Sequence, residues 1–247
     1  MESKFKIPTE TVELPSKGLL YPKDSPLAKG EIEMKYMTAK EEDILTNQNY
    51  IRNGTVIDKL LKSLIVTEGV KYTDILVGDK NAIMIAARIL AYGPDYEFVW
   101  SGDNIKVDLS EIDNKEIDES LFKNGNKFDF KLPSGNEITY KFLTHTDEIA
   151  IDRELTGLKK LNKNDSSQVT TRLKRIVTSI NGSSEIKDIR EFVDKYMLAT
   201  DARALRKEYS KRQPDVNLSF VHVTDDGGEE VIDIPIGISF FWPDERA

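Results

Sequence analysis

Side chains suited to catalysis or metal binding are sparse in this chain of 247 residues. It has no cysteine and only two histidines, His145 and His222, which are far apart in sequence. Neither histidine lies in an HxxxH arrangement of the kind that holds zinc. The lack of cysteine excludes disulfides, thiolate-zinc sites and cysteine nucleophiles. The residues therefore predict no catalytic centre, no metal and no cofactor, and we expect a protein that is not an enzyme.

Acidic side chains are plentiful and form clusters at residues 41–43, 113–119 and 225–230. The last cluster surrounds a glycine pair, but it lacks the alternating oxygen ligands and the distal glutamate of a calcium loop. We therefore interpret it as the turn of a β-hairpin. A hydrolase built on scattered carboxylates stays open as an alternative. It predicts a pocket that contains titrating groups with shifted pKa values.

The charge of the chain is unevenly distributed. The net charge is −8, yet residues 153–212 carry 15 Lys and Arg against 8 Asp and Glu. That segment is therefore +7 and the remainder is −15. Such a split is typical of a protein that binds a charged partner or docks one part of its chain on another. Long helices with solvated Lys and Arg produce the same pattern, and this alternative stays open.

The basic segment contains two candidate contact residues, Arg172 and Arg175. A helix predicted over residues 167–180 turns both of them outward. Its predicted core-facing residues are Val169, Leu173, Ile176, Val177 and Ile180. Basic helices can bind nucleic acid by neutralising phosphates, but this segment lacks an aromatic stacking platform. We therefore expect an acidic protein surface as the partner, and a nucleic-acid-binding module over residues 153–212 is the alternative.

The order of the predicted elements indicates an α+β protein. Thr38 stands three residues before Glu41, which is the pattern of a capping box at a helix start. We predict four regions: N-terminal strands and a helical core (1–94), a central β-hairpin region (95–144), a second, basic helical segment (145–213) and a C-terminal β-hairpin with an aromatic tail (214–247).

Periodicity and turn residues place the individual elements. The predicted helices cover residues 39–48, 56–65, 79–92, 146–161, 167–180, 187–197 and 200–211. The predicted strands cover residues 31–37 and the hairpins 96–101 with 105–109, 127–132 with 137–143, and 216–223 with 230–234. The most apolar stretch, residues 83–91, is too short to span a bilayer. We therefore expect a soluble protein of the cytosolic type with no membrane partner.

Two apolar segments are candidates for contact with a partner, in addition to Arg172 and Arg175. Their candidate residues are Leu19, Leu20 and Tyr21 near the N-terminus and Phe240, Phe241 and Trp242 in the C-terminal tail. Consecutive aromatic residues either fill a core or anchor an interface, and both alternatives stay open. We expect that loop 14–22 and tail 240–243 pack together or present a common surface.

Several short segments carry a combined pattern. One set comprises residues 14–22 (LPSKGLLYP), 32–37 (IEMKYM) followed by 38–46 (TAKEEDILT), 77–81 (VGDKN) and 88–93 (RILAYG). The second set closes the chain, at residues 234–235 (IP) and 240–243 (FFWP). In combination these segments resemble the baseplate hub and hub-assembly protein family of T-even-type contractile-tailed bacteriophages. Residues 95–230 carry little that matches this family.

The resemblance implies a non-enzymatic hub component or hub-assembly chaperone of the tail baseplate. It implies other phage baseplate hub proteins as partners, and it allows a homo-oligomer. It implies a location in the host cytoplasm during assembly, with the virion baseplate as a further location. Relatives often carry a Cys-x-x-Cys pair in the last hairpin, where this chain has residues 223–228 (VTDDGG). For this reason too we predict no zinc.

Overall fold

A computed structural model provides the structure of the chain and describes residues 6–161, 167–223 and 227–241. The α-helices of these residues are α1 (Ala39–Thr46), α2 (Gln48–Arg52), α3 (Val56–Leu64), α4 (Val77–Tyr92), α5 (His145–Leu161), α6 (Gln168–Ile176), α7 (Ile186–Glu191) and α8 (Ala199–Arg212). The strands are β1 (Thr9–Glu13), β2 (Glu31–Lys35), β3 (Asp95–Trp100), β4 (Asp103–Asp108), β5 (Phe128–Lys131), β6 (Glu137–Tyr140), β7 (Val177–Ile180), β8 (Ser219–Val223) and β9 (Glu229–Asp233).

The strands form small antiparallel sheets between the helices. β1 pairs with β2, β3 with β4 and β8 with β9, while β5, β6 and β7 form a three-stranded sheet in that order. This arrangement confirms the predicted α+β class with its N-terminal strands, central hairpins and C-terminal hairpin. Buried apolar residues from all four predicted regions belong to one core cluster, represented by Leu14, Tyr96, Ile151 and Phe240.

The predicted helix starts and stripes are present in the N-terminal region. The backbone N–H of Thr38 donates to Glu41 Oε2 at 3.1 Å, which closes the capping box at α1. The apolar stripe of α3 is buried, and α4 ends at Gly93, whose φ of +84° suits a glycine. Sequence analysis missed the short helix α2, although the side chain of Asn47 caps it by accepting from the backbone of Asn49.

The helix predicted over residues 167–180 is wrong in its last turn. α6 ends at Ile176, and residues 177–180 form β7, in which Ile180 lies opposite Ile138 of β6. The β-branched residues of this segment suit a strand, and the free edge of β6 supplies their hydrogen-bond partners. Val169 was also expected in the core, but it is exposed. Leu173 and Ile176 are buried, as predicted.

One hairpin turn differs from its predicted position, and the turn of another lies partly outside the described residues. The β3–β4 turn consists of Ser101 and Gly102, both at positive φ, so β3 ends one residue earlier than predicted and β4 begins two residues earlier. Strand pairing of β8 with β9 is confirmed. The predicted turn residues 225–226 and the candidate Trp242 lie outside the described residues. Within the described ranges, no helix combines the length and apolarity needed to cross a bilayer.

The start of α4 makes a close approach to the chain at Pro214. A Cβ added at Gly78 would lie 1.8 Å from the carbonyl oxygen of Pro214. We expect Gly78→Ala to lower the free energy of unfolding by about 1–3 kcal/mol, since one of the two segments must move. Denaturation in urea measures this change.

Gly157 of α5 provides the matched control for that substitution. An added Cβ at Gly157 meets no described atom within 4 Å. Gly157→Ala should leave stability unchanged or raise it by up to about 1 kcal/mol through helix propensity. Equal unfolding free energies for Gly78→Ala and the wild type would contradict the close approach.

Candidate functional site

A buried carboxylate holds the N-terminal loop against the first turn of α4. Asp79 accepts hydrogen bonds from the backbone N–H of Ser16 at 2.9 Å, from Ser16 Oγ at 2.7 Å and from the hydroxyl of Tyr21 at 2.6 Å. The Tyr21 oxygen in turn accepts from the backbone N–H of Leu76 at 2.9 Å. We call Ser16, Tyr21 and Asp79 the N-terminal clasp.

The electrostatics of the N-terminal clasp indicate a structural role. Burial raises the pKa of Asp79, and the hydrogen bonds from Tyr21 and Ser16 act in the opposite direction. Burial and the nearby Asp79 raise the pKa of Tyr21, so the phenol keeps the proton that it donates. Asp79 and Ser16 are fully buried. The clasp groups satisfy one another and are not placed to exchange protons with a substrate.

The loop that carries the clasp is tightly closed. Leu14 N donates to Gly30 O at 2.8 Å, and a Cβ added at Gly18 would lie 2.4 Å from Ala28 O. Lys17 and Gly18 adopt positive φ, and the loop turns at these two residues. The backbone of this loop is therefore set by its own close contacts and by Asp79.

The three candidate contact residues of the loop have different surroundings. Leu19 is 39% exposed, whereas Leu20 and Tyr21 are 5% and 9% exposed. Leu20 and Tyr21 line a cleft of about 750 Å³, which Asn126 and Lys141 also line. Of the three, Leu19 is the side chain that the loop presents to solvent.

The aromatic tail is part of the core. Phe240 and Phe241 are both 0% exposed, and the Phe240 ring packs edge-on against Tyr96 of β3 with ring centroids 4.9 Å apart. The hydroxyl of Tyr96 donates to Pro235 O at 3.2 Å. The expectation that Phe240 and Phe241 present a surface is therefore wrong, because the interior of the chain already buries both rings. Their burial agrees with the core alternative.

Charged side chains from four helices meet in a second place, which we call the charged cleft. It is defined by Asp58 of α3, Lys80 of α4, His145 and Glu148 of α5, and Arg172 of α6. Its volume is about 400 Å³. His145 lies at the start of α5, as expected, and is 5% exposed. The charged cleft joins helices of the first and the second helical regions.

His145 lies between two carboxylates in the charged cleft. Its Nε2 is 3.1 Å from Asp58 Oδ2, and its Nδ1 is 3.6 Å from Glu148 Oε2. Lys80 Nζ is 3.4 Å from an oxygen of each carboxylate. The hydroxyl of Tyr72 donates to Asp58 at 2.9 Å. Lys80 and His145 thus lie between the two carboxylates.

The pKa values of the charged cleft follow from this pairing. Burial acts to raise the pKa of Asp58, but hydrogen bonding by His145 and the charge of Lys80 outweigh it and lower that pKa to about 2. Burial acts to lower the pKa of His145, yet its bonds to Asp58 and Glu148 raise it above the ordinary value. The same partners lower the pKa of Glu148. Pairing stabilises the charged form of each group.

The hydrolase alternative predicted a pocket with shifted pKa values, and the charged cleft is such a pocket. Both of its paired carboxylates have lowered pKa values, so neither holds a proton for general acid catalysis near neutral pH. No serine, threonine or cysteine is among its described lining residues. Ion-pair networks that hold a fold together shift pKa values in the same way. The geometry favours a clamp between α3, α4, α5 and α6.

Two residues predicted to contact a partner lie on α6 and face acidic neighbours. Arg172 Nη2 is 3.9 Å from Glu148, and Arg175 Nη2 is 3.9 Å from Glu154. Glu154 also pairs with Lys174 and Arg190, each at 3.5 Å. Much of the positive charge of α6 is therefore neutralised inside the chain. His222, the other histidine, is half-buried on β8.

Sequence reasoning missed both the N-terminal clasp and the charged cleft. The spacing of His145 and Glu148, three residues apart on one helix, was the one local signal available. Asp58, Lys80 and Asp79 reach their partners through tertiary contacts that no local pattern encodes. Across the described ranges, no group of three or more His, Asp or Glu side chains is placed to hold a metal ion.

Comparison of the chain with models of protein families, with curated proteins and with solved structures found no match in any of the three. In the structure, two of the segments that carry the resemblance contact each other. Ser16 and Tyr21 come from one quoted segment, Asp79 comes from another, and the N-terminal clasp joins them.

The raised pKa of His145 predicts a pH dependence of stability. Because the pKa of His145 is raised in the folded state, its interactions stabilise the fold fully below the unfolded pKa of about 6.5. This stabilisation is lost as the pH rises through the folded-state pKa. Because the pKa of Asp58 is lowered in the folded state, its carboxylate stabilises the fold above about pH 4. This stabilisation is lost as the pH falls toward 2. The clamp should therefore be strongest between about pH 4 and 6.5.

We expect His145→Gln to cost about 1–3 kcal/mol in that pH window and less above it, as measured by urea denaturation at a series of pH values. His222→Gln is the matched control, and it should leave the pH dependence of the wild type unchanged. A stability difference between the wild type and His145→Gln that is constant from pH 5 to pH 9, about two pH units on either side of neutrality, would contradict the clamp.

Proposed function

We propose that this chain is a non-enzymatic component or assembly chaperone of the phage tail baseplate hub. It acts through protein–protein contacts with other hub proteins in the host cytoplasm during assembly. The observation that carries the proposal is the N-terminal clasp, which unites two of the segments that resemble the hub and hub-assembly family.

The clasp supports the proposal because it links residues that are 58 and 63 positions apart in sequence. Ser16 and Tyr21 satisfy a carboxylate that is costly to bury without hydrogen bonds. Within a third segment of the pattern, residues 32–46, Glu41 is buried and pairs with Lys35 of β2 at 2.8 Å.

Two further features favour contacts over catalysis. The charged groups of the charged cleft are engaged with one another, and the loop presents Leu19 on a backbone held by the clasp. The nucleic-acid alternative is weakened because Lys174, Arg175 and Arg190 surround Glu154 and are not free to bind phosphates. A rigid loop with an exposed apolar residue suits protein recognition.

The experiment that tests the proposal is quantitative mass spectrometry of purified phage particles beside infected-cell lysate. A few copies in the particle, relative to the major tail protein, would make the chain a structural hub component. Abundance in lysate with absence from particles would make it a transient assembly chaperone. Normal baseplates in a phage that lacks the gene would contradict both roles.

Leu19→Asp gives the corresponding prediction at residue level. Leu19 is 39% exposed, so the variant should keep its stability within about 0.5 kcal/mol. If the loop contacts a hub protein, recovery of hub proteins with the tagged chain should fall by about tenfold or more. Co-purification from infected cells, quantified by mass spectrometry, measures this recovery.

Leu121→Asp is the matched control, because Leu121 is 38% exposed and lies outside the segments of the resemblance. It should recover hub proteins as the wild type does. Equal recovery with Leu19→Asp and the wild type would show that the loop makes no such contact.

A further inference from the structure

Helix α8 has two faces of different character. Its inner face is anchored by Leu205, which is fully buried, and by Tyr209, whose hydroxyl accepts from the backbone N–H of Leu143 at 3.1 Å. The buried carboxylate of Asp201 accepts from Ser134 N at 2.9 Å. These contacts fix the orientation of the helix, and so they also fix what its outer face presents.

The outer face of α8 is basic along its length. We call its exposed cations the basic stripe: Arg203, Arg206, Lys207 and Lys211. Their spacing of three, four and eight residues places them on one side of the helix, over about 12 Å. The acidic residues of α8 lie elsewhere, since Asp201 is buried and Glu208 pairs with Arg212. No residue of the stripe has a carboxylate within 4.0 Å among those that the structure describes.

The cations of α6, unlike those of the basic stripe, have carboxylates nearby in the described part of the chain. There, Lys174 and Arg175 lie near Glu154. Arg206 donates to the carbonyl of Ala202 within its own helix, which leaves its charge uncompensated. Helix α8 thus carries four exposed cations without an ion pair on one face, while the other such cations of the described segment, Arg153, Lys159, Lys160 and Lys187, are spread over α5 and α7.

A complementary surface lies on the sheet formed by β1 and β2, and we call it the acidic face. Glu13 and Glu31 are cross-strand partners, and Glu33 stands two residues along β2 on the same side. All three are exposed, and none has a cation within 4.0 Å in the described part of the chain. Like charges directly opposite each other destabilise a strand pair. The charge of Lys17 acts on Glu13, and Thr9 Oγ1 donates to Glu33 at 2.6 Å, but no ion pair in the described residues offsets the repulsion between Glu13 and Glu31.

We propose that the basic stripe of one copy binds the acidic face of a second copy. Four cations along about 12 Å of helix meet three carboxylates that span about 7 Å along the strands, so the two surfaces are opposite in charge. Apolar residues adjoin both surfaces: Tyr196 and Leu198, 62% and 55% exposed, precede α8, and Ile7, 46% exposed, precedes β1. An apolar contact beside a charged one is the usual composition of a protein interface.

Other exposed carboxylates fit the basic stripe less well. Asp108 and Asp118 accept hydrogen bonds from Ser110 and Ser120 in their own turns. Glu119 pairs with Lys17 at 2.7 Å. The acidic face places three carboxylates that lack an ion pair in the described residues on one side of one sheet. This inference concerns self-association and does not depend on the proposed function.

The interface joins two different surfaces, so it is head-to-tail and each copy can use both surfaces at once. The net charge of −8 opposes approach at long range. That repulsion is screened beyond about 10 Å at 0.1 M salt, and the attraction acts at contact. The association should therefore weaken at high salt.

Sedimentation equilibrium of the full chain tests the proposal. At about 0.1 M salt the average mass should exceed 28.1 kDa and rise with protein concentration, and at about 1 M salt it should return to 28.1 kDa. A mass of 28.1 kDa under both conditions, at concentrations up to about 1 mM, would overturn the proposal.

Two charge-reversal variants separate the two surfaces. Arg203→Glu with Lys207→Glu removes the basic stripe, and Glu13→Lys with Glu31→Lys removes the acidic face. Each variant alone should self-associate at least about tenfold more weakly than the wild type. A mixture of the two retains one intact interface, so it should form a one-to-one pair. All these positions are exposed, and circular dichroism checks that both variants fold.

Lys159→Glu with Lys160→Glu is the matched control, since both lysines are exposed on α5 and the change in net charge equals that of the stripe variant. It should self-associate as the wild type does. Equal association of the stripe variant and the wild type would overturn the proposal. So would a stripe that proves necessary for DNA binding in a chain that stays monomeric, because the stripe would then belong to a nucleic-acid partner.

Discussion

The carboxylate of Asp79 is the group around which the N-terminal half is organised. A buried carboxylate is tolerated only when donors surround it, and Ser16 and Tyr21 supply all three of its hydrogen bonds. Tyr21 also receives the backbone N–H of Leu76, so the loop, the carboxylate and the start of α4 depend on one another. The neighbouring Gly78 lets the chain at Pro214 pass within contact of the same turn.

The charged cleft is the second connection between distant parts of the chain. It joins α3 and α4 to α5 and α6 through His145 and the carboxylates on either side of it. Since its pairing raises the pKa of His145 and lowers the pKa of Asp58, this connection depends on pH. The charged cleft thus links the first and third of the four regions, and apolar residues from all four belong to one core.

The distribution of charge on the surface follows from the same packing. Helix α6 lies where acidic residues of α5 neutralise it, whereas α8 faces outward and keeps its positive charge uncompensated. The β1–β2 sheet keeps uncompensated negative charge. Exposed charges of this kind add little to the stability of a single chain, but they set the specificity and rate of association. For a protein proposed to act in assembly, the surface is then the functional part.

Local patterns in the sequence by themselves determined the α+β class, most helices, the capping box at Thr38 and the pairing of neighbouring strands. These features depend on residues within one or two turns of each other, where periodicity and capping act. Only the tertiary structure decided that residues 177–180 leave a helix to join β6, that Phe240 is core, and that Asp79 and His145 find their partners. Each of these outcomes depends on contacts between residues far apart in sequence, and neither hydrophobic pattern nor propensity carries that information.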